Sequence, residues 1–117
     1  MNTFVRNFFL AALLSGALVV FAHSHPTEMR PAANSTVSAP NSVVIHFSEA
    51  LEPKFSSISV ADAAGHVVTK EPASCSADGK TMTVKVPALA PGSYTVNWVT
   101  VATDAHRAQG NYKFTVK

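Results

Sequence analysis

Short runs of alternating apolar and polar residues, cut apart by turn residues, constrain this chain more than any other feature. Thr81-Met82-Thr83-Val84-Lys85-Val86 alternates strictly, which puts one set of side chains on each face of a strand. Val43-Val44-Ile45-His46-Phe47 and Ser57-Ile58-Ser59-Val60 also read as strands. Ala64-Gly65 turns the chain before His66-Val67-Val68, and Ala77-Asp78-Gly79-Lys80 turns it again. Pro91-Gly92 leads into the longest strand candidate, Tyr94 to Val101, and Asn111 to Val116 closes the chain. Pro40, Pro87 and Pro91 limit the approaches to these strands. No stretch after residue 22 carries a 3.6-residue apolar stripe. About seven short strands with turn signals every ~8–12 residues predict an all-β domain, a sandwich or Greek-key barrel. Trp98, on the longest strand, is expected at the centre of its core.

Residues 1–22 follow a different pattern. Arg6 provides a positive start, residues 8–21 are almost wholly apolar, and Val20-Phe21-Ala22 ends on a small residue. The apolar run is shorter than the roughly 20 residues that span a bilayer. It reads as a signal peptide cleaved after Ala22, leaving 23–117 as one small domain. Removing residues 1–22 from the 117 leaves 95, enough for a single core. The charge supports no nucleic-acid role. Nine Lys and Arg face seven Asp and Glu, Arg6 leaves with the leader, and the remaining Lys are scattered. Cys75 is the one cysteine, so an internal disulfide is excluded even in an oxidising compartment. Its neighbours Ser74, Ser76, Asp78 and Gly79 read as a turn, leaving either a buried thiol or an exposed soft ligand.

Cleavage after Ala22 would make His23 the first residue, with a free α-amine beside its imidazole. Those two nitrogens can chelate one metal ion, and nitrogen chelation suits Cu(II). Asp104 and His106, in Thr103-Asp104-Ala105-His106, would share one side of an extended backbone. They could complete a tetragonal set of three nitrogens and one oxygen. The bland alternative is a loop aspartate capping local amides beside a solvated histidine. His25 opens a competing route, because a free amine followed by His at the third position can wrap Cu(II) through two backbone amides. His25 could equally join the first site as an extra ligand, or stand exposed on a fraying terminus. His46 sits at a strand end, and His66 reads as solvated. Met29 and Met82 are isolated, without the clustered thioethers that suit Cu(I).

In their order and spacing these residues resemble the CopC family of periplasmic copper-binding proteins. The resemblance covers the whole of 23–117. It rests on His23 after the leader, Arg30-Pro31-Ala32-Ala33-Asn34-Ser35, and Val44-Ile45-His46-Phe47-Ser48-Glu49-Ala50-Leu51. It continues through Leu89 to Trp98 and Thr103 to His106, and ends at Gly110-Asn111-Tyr112-Lys113-Phe114. It implies an immunoglobulin-like Greek-key β-sandwich with a Cu(II) site formed by His23, Asp104 and His106, with His25 as a further candidate. Some members add a methionine-rich loop for Cu(I), helped by the histidine of the H-F-S-E motif. The corresponding stretch here, Ala61 to Lys80, has no methionine, so that second site is not expected and His46 is assigned a structural part.

The expectation is therefore a periplasmic copper carrier or buffer, not an enzyme, with the metal as cargo. The resemblance suggests delivery to a CopD-type inner-membrane importer, and nothing in the sequence calls for an obligate dimer, so a monomer is expected. Two other classes compete. A histidine-brace copper oxidase of the polysaccharide monooxygenase kind also uses an amino-terminal histidine, but Asp104 would take the equatorial place that oxygen needs. An extracellular β-sandwich adhesion module would bind copper weakly and ignore the loss of His106.

Overall fold

The alternating runs pair into two sheets that face each other across a single core. The structure, a computed structural model, describes residues 23–117. The signal peptide expected at 1–22 lies outside the described residues. The strands are β1 (Pro26–Arg30), β2 (Thr36–Val37), β3 (Ser42–Phe47), β4 (Ser57–Ala61), β5 (Ser74–Cys75), β6 (Thr81–Lys85), β7 (Gly92–Val101) and β8 (Arg107–Val116). One four-stranded sheet runs β1-β3-β6-β5 and the other β2-β8-β7-β4. All pairings are antiparallel except β2 with β8. The chain changes sheet at each of the three steps from β1 to β4, and the terminal strand β1 pairs with β3. The one helical element among the described residues is a 3-10 turn at Pro53–Phe55.

The count is eight strands against about seven expected, and the difference lies in short pieces. β2 and β5 are two residues each, and β1 has no strong alternation to announce it. Cys75, expected in a turn, sits in β5 opposite Met82. It is half-buried against the core, and burial pushes its thiol pKa up, which lowers its reactivity. His66-Val67-Val68 forms no strand of its own. Its contribution is one bridge from Val67 to Ala61 and a hydrogen bond from Val68 N–H to the Val60 carbonyl, which together cover part of the β4 edge.

The core takes Val43, Ile45 and Phe47 from β3, Met82 and Val84 from β6, and Ile58 and Val60 from β4. It takes Tyr94 and Val96 from β7, and Tyr112, Phe114 and Val116 from β8. These are alternate positions in each strand, so the period-2 pattern in the sequence becomes the inner face of each sheet. Burying each larger side chain is worth about 1.5–3 kcal/mol. Tyr94 stacks on Phe114, with ring centroids 5.7 Å apart, and its hydroxyl donates to the Ala90 carbonyl at 2.6 Å. That back-bond pins the entry to β7 as a tyrosine corner does in immunoglobulin-like sandwiches. Trp98 is not at the centre. It is partly buried at one end of the core, edge-on to Phe47 at 5.7 Å, while Phe114, Ile45 and Met82 fill the middle.

Tyr112 carries a cost in this core. Its hydroxyl is buried and has no hydrogen-bond partner among the described residues. Burial pushes its pKa up to about 12. The folded pKa exceeds the unfolded value of about 10, so stability is unaffected by this group's titration below pH ~10 and falls as pH rises toward 12, where the unfolded phenol ionises before the buried one. Allowing for partial solvent screening, the loss is about 1–2 kcal/mol. Tyr112→Phe removes the unpaired group and should be neutral or stabilising by about 1 kcal/mol at pH 7. It should also flatten the fall in Tm between pH 10 and 12. A thermal melt series across that range checks both, and a Tyr112→Phe protein clearly less stable at pH 7 would contradict the assignment.

Candidate metal centre

The site is assembled at the end of the sandwich where the terminal segment, the turn after β3 and the β7–β8 loop meet. Residues 23–25 precede β1 and are tied down by the turn that follows β3. The Ser48 N–H donates to the His25 carbonyl at 2.9 Å, and the His25 N–H donates to Ser48 Oγ at 3.1 Å. Ser24 is buried, and its hydroxyl donates to the Glu49 carbonyl at 3.3 Å. These contacts leave the His23 and His25 side chains exposed on either side of an anchored Ser24.

The β7–β8 loop supplies the other half. The Ala102 N–H donates to the His106 carbonyl at 2.9 Å, and the Ala105 N–H donates to the Ala102 carbonyl at 2.8 Å. The Thr103 N–H donates to the Ala50 carbonyl at 3.1 Å, and Leu51 bridges to Ala102, so the loop is also fixed to the turn after β3. Ala105 has φ 71°, a left-handed conformation that costs a residue with a Cβ about 1–2 kcal/mol. That reversal brings His106 back over Asp104.

The backbone here is therefore turned, not extended, which corrects the basis on which Asp104 and His106 were expected to point the same way. They meet by a different route. Asp104 Oδ1 accepts the His106 backbone N–H at 3.0 Å, and Oδ2 lies 3.0 Å from His106 Nδ1. Asp104 thus caps a local amide, as the bland alternative held, and contacts the imidazole as well. The His106 backbone N–H, with the His106 side chain second, holds the Asp104 carboxyl below the usual carboxylate range. With Nδ1 against the carboxylate, Nε2 is the nitrogen that His106 can offer to a metal.

The His23 and His106 rings are neighbours, with centroids 5.4 Å apart at 79°. His25 Nδ1 lies 3.2 Å from the His23 carbonyl oxygen and 3.1 Å from Ser48 Oγ. All four candidate residues therefore occupy one end of the molecule, joined by a chain of contacts. Among the described residues, no three His, Cys, Asp or Glu side chains form a ready metal cluster. The structure brings His23 beside His106 and His106 beside Asp104 as pairs, and it does not gather three of these side chains around one point. Two imidazoles, a carboxylate and a terminal α-amine are the nitrogen and oxygen donors that Cu(II) accepts in a tetragonal arrangement.

The other histidines lie apart from this chain of contacts. His46 faces outward on β3, opposite Glu28 and Thr81, with Nδ1 2.9 Å from Thr81 Oγ1. His66 is exposed, 3.7 Å from the Asp62 carboxylate. Met82 is fully buried and Met29 packs against the core, so both methionines serve packing. Ser24 and Ser48 were not singled out from the sequence. Ser48 lies inside the H-F-S-E motif, but only its pairing across the terminal segment reveals its part.

The CopC domain profile matches residues 26–117. Protein YobA of Escherichia coli K12 is 38% identical over 112 residues, covering 91% of this chain and 90% of that protein. Among solved structures, CopC from Methylosinus trichosporium OB3b superposes with a TM-score of 0.77 at 37% identity, covering 81% of this chain and 94% of that one. PcoC from Escherichia coli, described as a methionine-rich copper resistance protein, gives 0.75 at 34% identity, covering 82% and 100%.

Proposed function

Since this chain belongs to the CopC family, we propose that it is a carrier or buffer that holds Cu(II) in the periplasm after cleavage behind Ala22. The copper is cargo. His23 would give its α-amine and one ring nitrogen, His106 its Nε2, and Asp104 a carboxylate oxygen. Those four donors complete a tetragonal set, and His25 is a further candidate that would add a fifth. The observation that carries this reading is the pairing of the His23 and His106 rings across the gap between the terminus and the β7–β8 loop. Copper resistance is the stated role of PcoC, and kinship with it supports copper as the metal. Four donor groups around Cu(II) leave little open coordination, which suits transport and not turnover of a substrate. Handing the ion to a CopD-type importer, with the protein acting as a monomer, fits a site at one exposed end of the fold.

Binding requires neutral imidazoles, a free amine and an ionised carboxylate. Asp104 stays ionised to lower pH than an ordinary aspartate, so protons competing for the nitrogens govern copper release on acidification. His106→Ala removes one nitrogen donor and should weaken Cu(II) binding by at least about 100-fold. Asp104→Asn removes the charge beside His106 and should cost about 10-fold or more. Cu(II) titration followed by EPR and by quenching of Trp98, the one tryptophan, measures both. Equal affinity in wild type and His106→Ala would sink the two-part site.

A further inference from the structure

The segment His23-Ser24-His25 has the composition to hold Cu(II) unaided, and the fold stands in the way. In the unaided mode the metal takes the terminal amine, the amide nitrogens of Ser24 and His25, and the His25 ring. The last chelate ring runs from the His25 amide nitrogen through Cα, Cβ and Cγ to Nδ1, so it needs that amide and that ring nitrogen together. Both are engaged by one side chain. The His25 N–H donates to Ser48 Oγ at 3.1 Å, and His25 Nδ1 lies 3.1 Å from the same oxygen. The reciprocal bond from Ser48 N–H to the His25 carbonyl, 2.9 Å, fixes the backbone on which both depend. Ser24 is buried with its hydroxyl on the Glu49 carbonyl, so its amide is not free to swing toward a terminal metal. Nδ1 also lies 3.2 Å from the His23 carbonyl oxygen. A carbonyl oxygen only accepts, so the tautomer that satisfies this contact carries its proton on Nδ1 and its lone pair on Nε2.

We propose that Ser48 is a positioning residue that withholds the His25 amide and Nδ1 from copper, so that His25 offers Nε2 alone. The ion is then held by the folded domain, through Asp104 and His106, and not by a terminal tripeptide that would bind it equally well in an unfolded chain. This rests on the reading of the His23 amine as a copper donor. Copper binding is thereby coupled to the fold, because only the folded chain brings Ser48 against His25.

The test uses mature protein beginning at His23, loaded with one equivalent of Cu(II), as wild type, Ser48→Ala and Ser48→Thr. Losing the hydroxyl should shift the balance toward the four-nitrogen mode by about tenfold. The visible band should move to shorter wavelength, as amide nitrogens replace oxygen, and the EPR spectrum should become indifferent to a further His106→Ala change. Ser48→Thr keeps a hydroxyl and should restore the wild-type spectra. A readout without metal stands beside this one. Ring nitrogen-15 shifts in metal-free wild type should place the His25 proton on Nδ1, and a proton on Nε2 would overturn the proposal even if Ser48→Ala failed to fold. A wild-type signal sensitive to an added N-terminal residue, with an unchanged Ser48→Ala spectrum, would sink this proposal alone. A wild-type signal that ignores the added residue would sink the terminal-amine reading and this one with it.

Discussion

One extra residue ahead of His23 is expected to lower Cu(II) affinity by at least about 100-fold and to replace the tetragonal EPR signal of the mature protein. The reasoning is chemical. Loss of a partner that only orients a ligand costs about 10–100-fold in affinity, and the α-amine would be a direct donor, so its loss sets a floor at the upper end of that range. The extension converts the amine to an amide whose nitrogen lone pair is delocalised into the carbonyl, and it breaks the chelate that amine and imidazole form together. Nothing else at the site changes. Ser24 keeps its contact with Glu49, His25 keeps Ser48, and Asp104 keeps His106, because none of these bonds involves the His23 nitrogen. The thermal stability of the metal-free protein should therefore stay within about 0.5 kcal/mol of wild type. That combination separates a lost donor from a damaged fold. Isothermal titration of the two proteins at one pH measures the affinity ratio, and a ratio near one would remove the amine from the site.

The strand pattern was legible because it needs only local information. Val43, Ile45 and Phe47 alternate in the sequence and are buried in the structure for the same reason, and the same holds for Met82 and Val84. β1, β2 and β5 were not legible. Their residues form strands because a neighbouring strand offers an edge, as β3 does for Pro26–Arg30, and pairing of that kind has no local signature. Trp98 shows the limit of reading burial from size. Its position in β7 faces inward, but it lies at the end of the sandwich, where the core runs out. Asp104 and His106 were found by their spacing through a mistaken geometry. The left-handed Ala105, which actually brings them together, is a residue whose sequence does not advertise a positive φ. His23 and His25 were placed at the candidate site from the expected cleavage after Ala22, and the structure sets both beside the β7–β8 loop and the turn after β3. Ser48 was not, since a serine gains meaning only from what lies opposite it.

Gly110→Ala is expected to destabilise the domain by about 2–3 kcal/mol, the upper part of the range for forcing extra volume into a packed core. For a domain of this size that lowers Tm by roughly 10 °C or more. Gly110 pairs with Trp98 across β7 and β8, and the indole occupies the space a side chain at 110 would need. A methyl group there would collide with Trp98 Cζ2 and stand 2.8 Å from Cε2 and 3.2 Å from Nε1. Movement of the ring would also disturb its T-shaped contact with Phe47. Either the indole turns outward and loses its burial, or β8 moves away from β7 and strains the longest ladder in the molecule. The proposed copper site should be spared in the folded protein. The β7–β8 loop is closed by its own bonds, from Ala102 to His106 and from Ala105 to Ala102, and is tied by Thr103 to Ala50. Below its lowered Tm, Gly110→Ala should give the wild-type Cu(II) EPR spectrum, while Trp98 emission shifts to the red as the ring meets water. Thermal melts of the metal-free protein, Trp98 fluorescence of its folded state and EPR of the copper-loaded folded protein measure all three. A wild-type Tm would mean that Trp98 yields freely. An altered copper spectrum would mean that the loop takes its shape from the indole beneath it and not from its own hydrogen bonds.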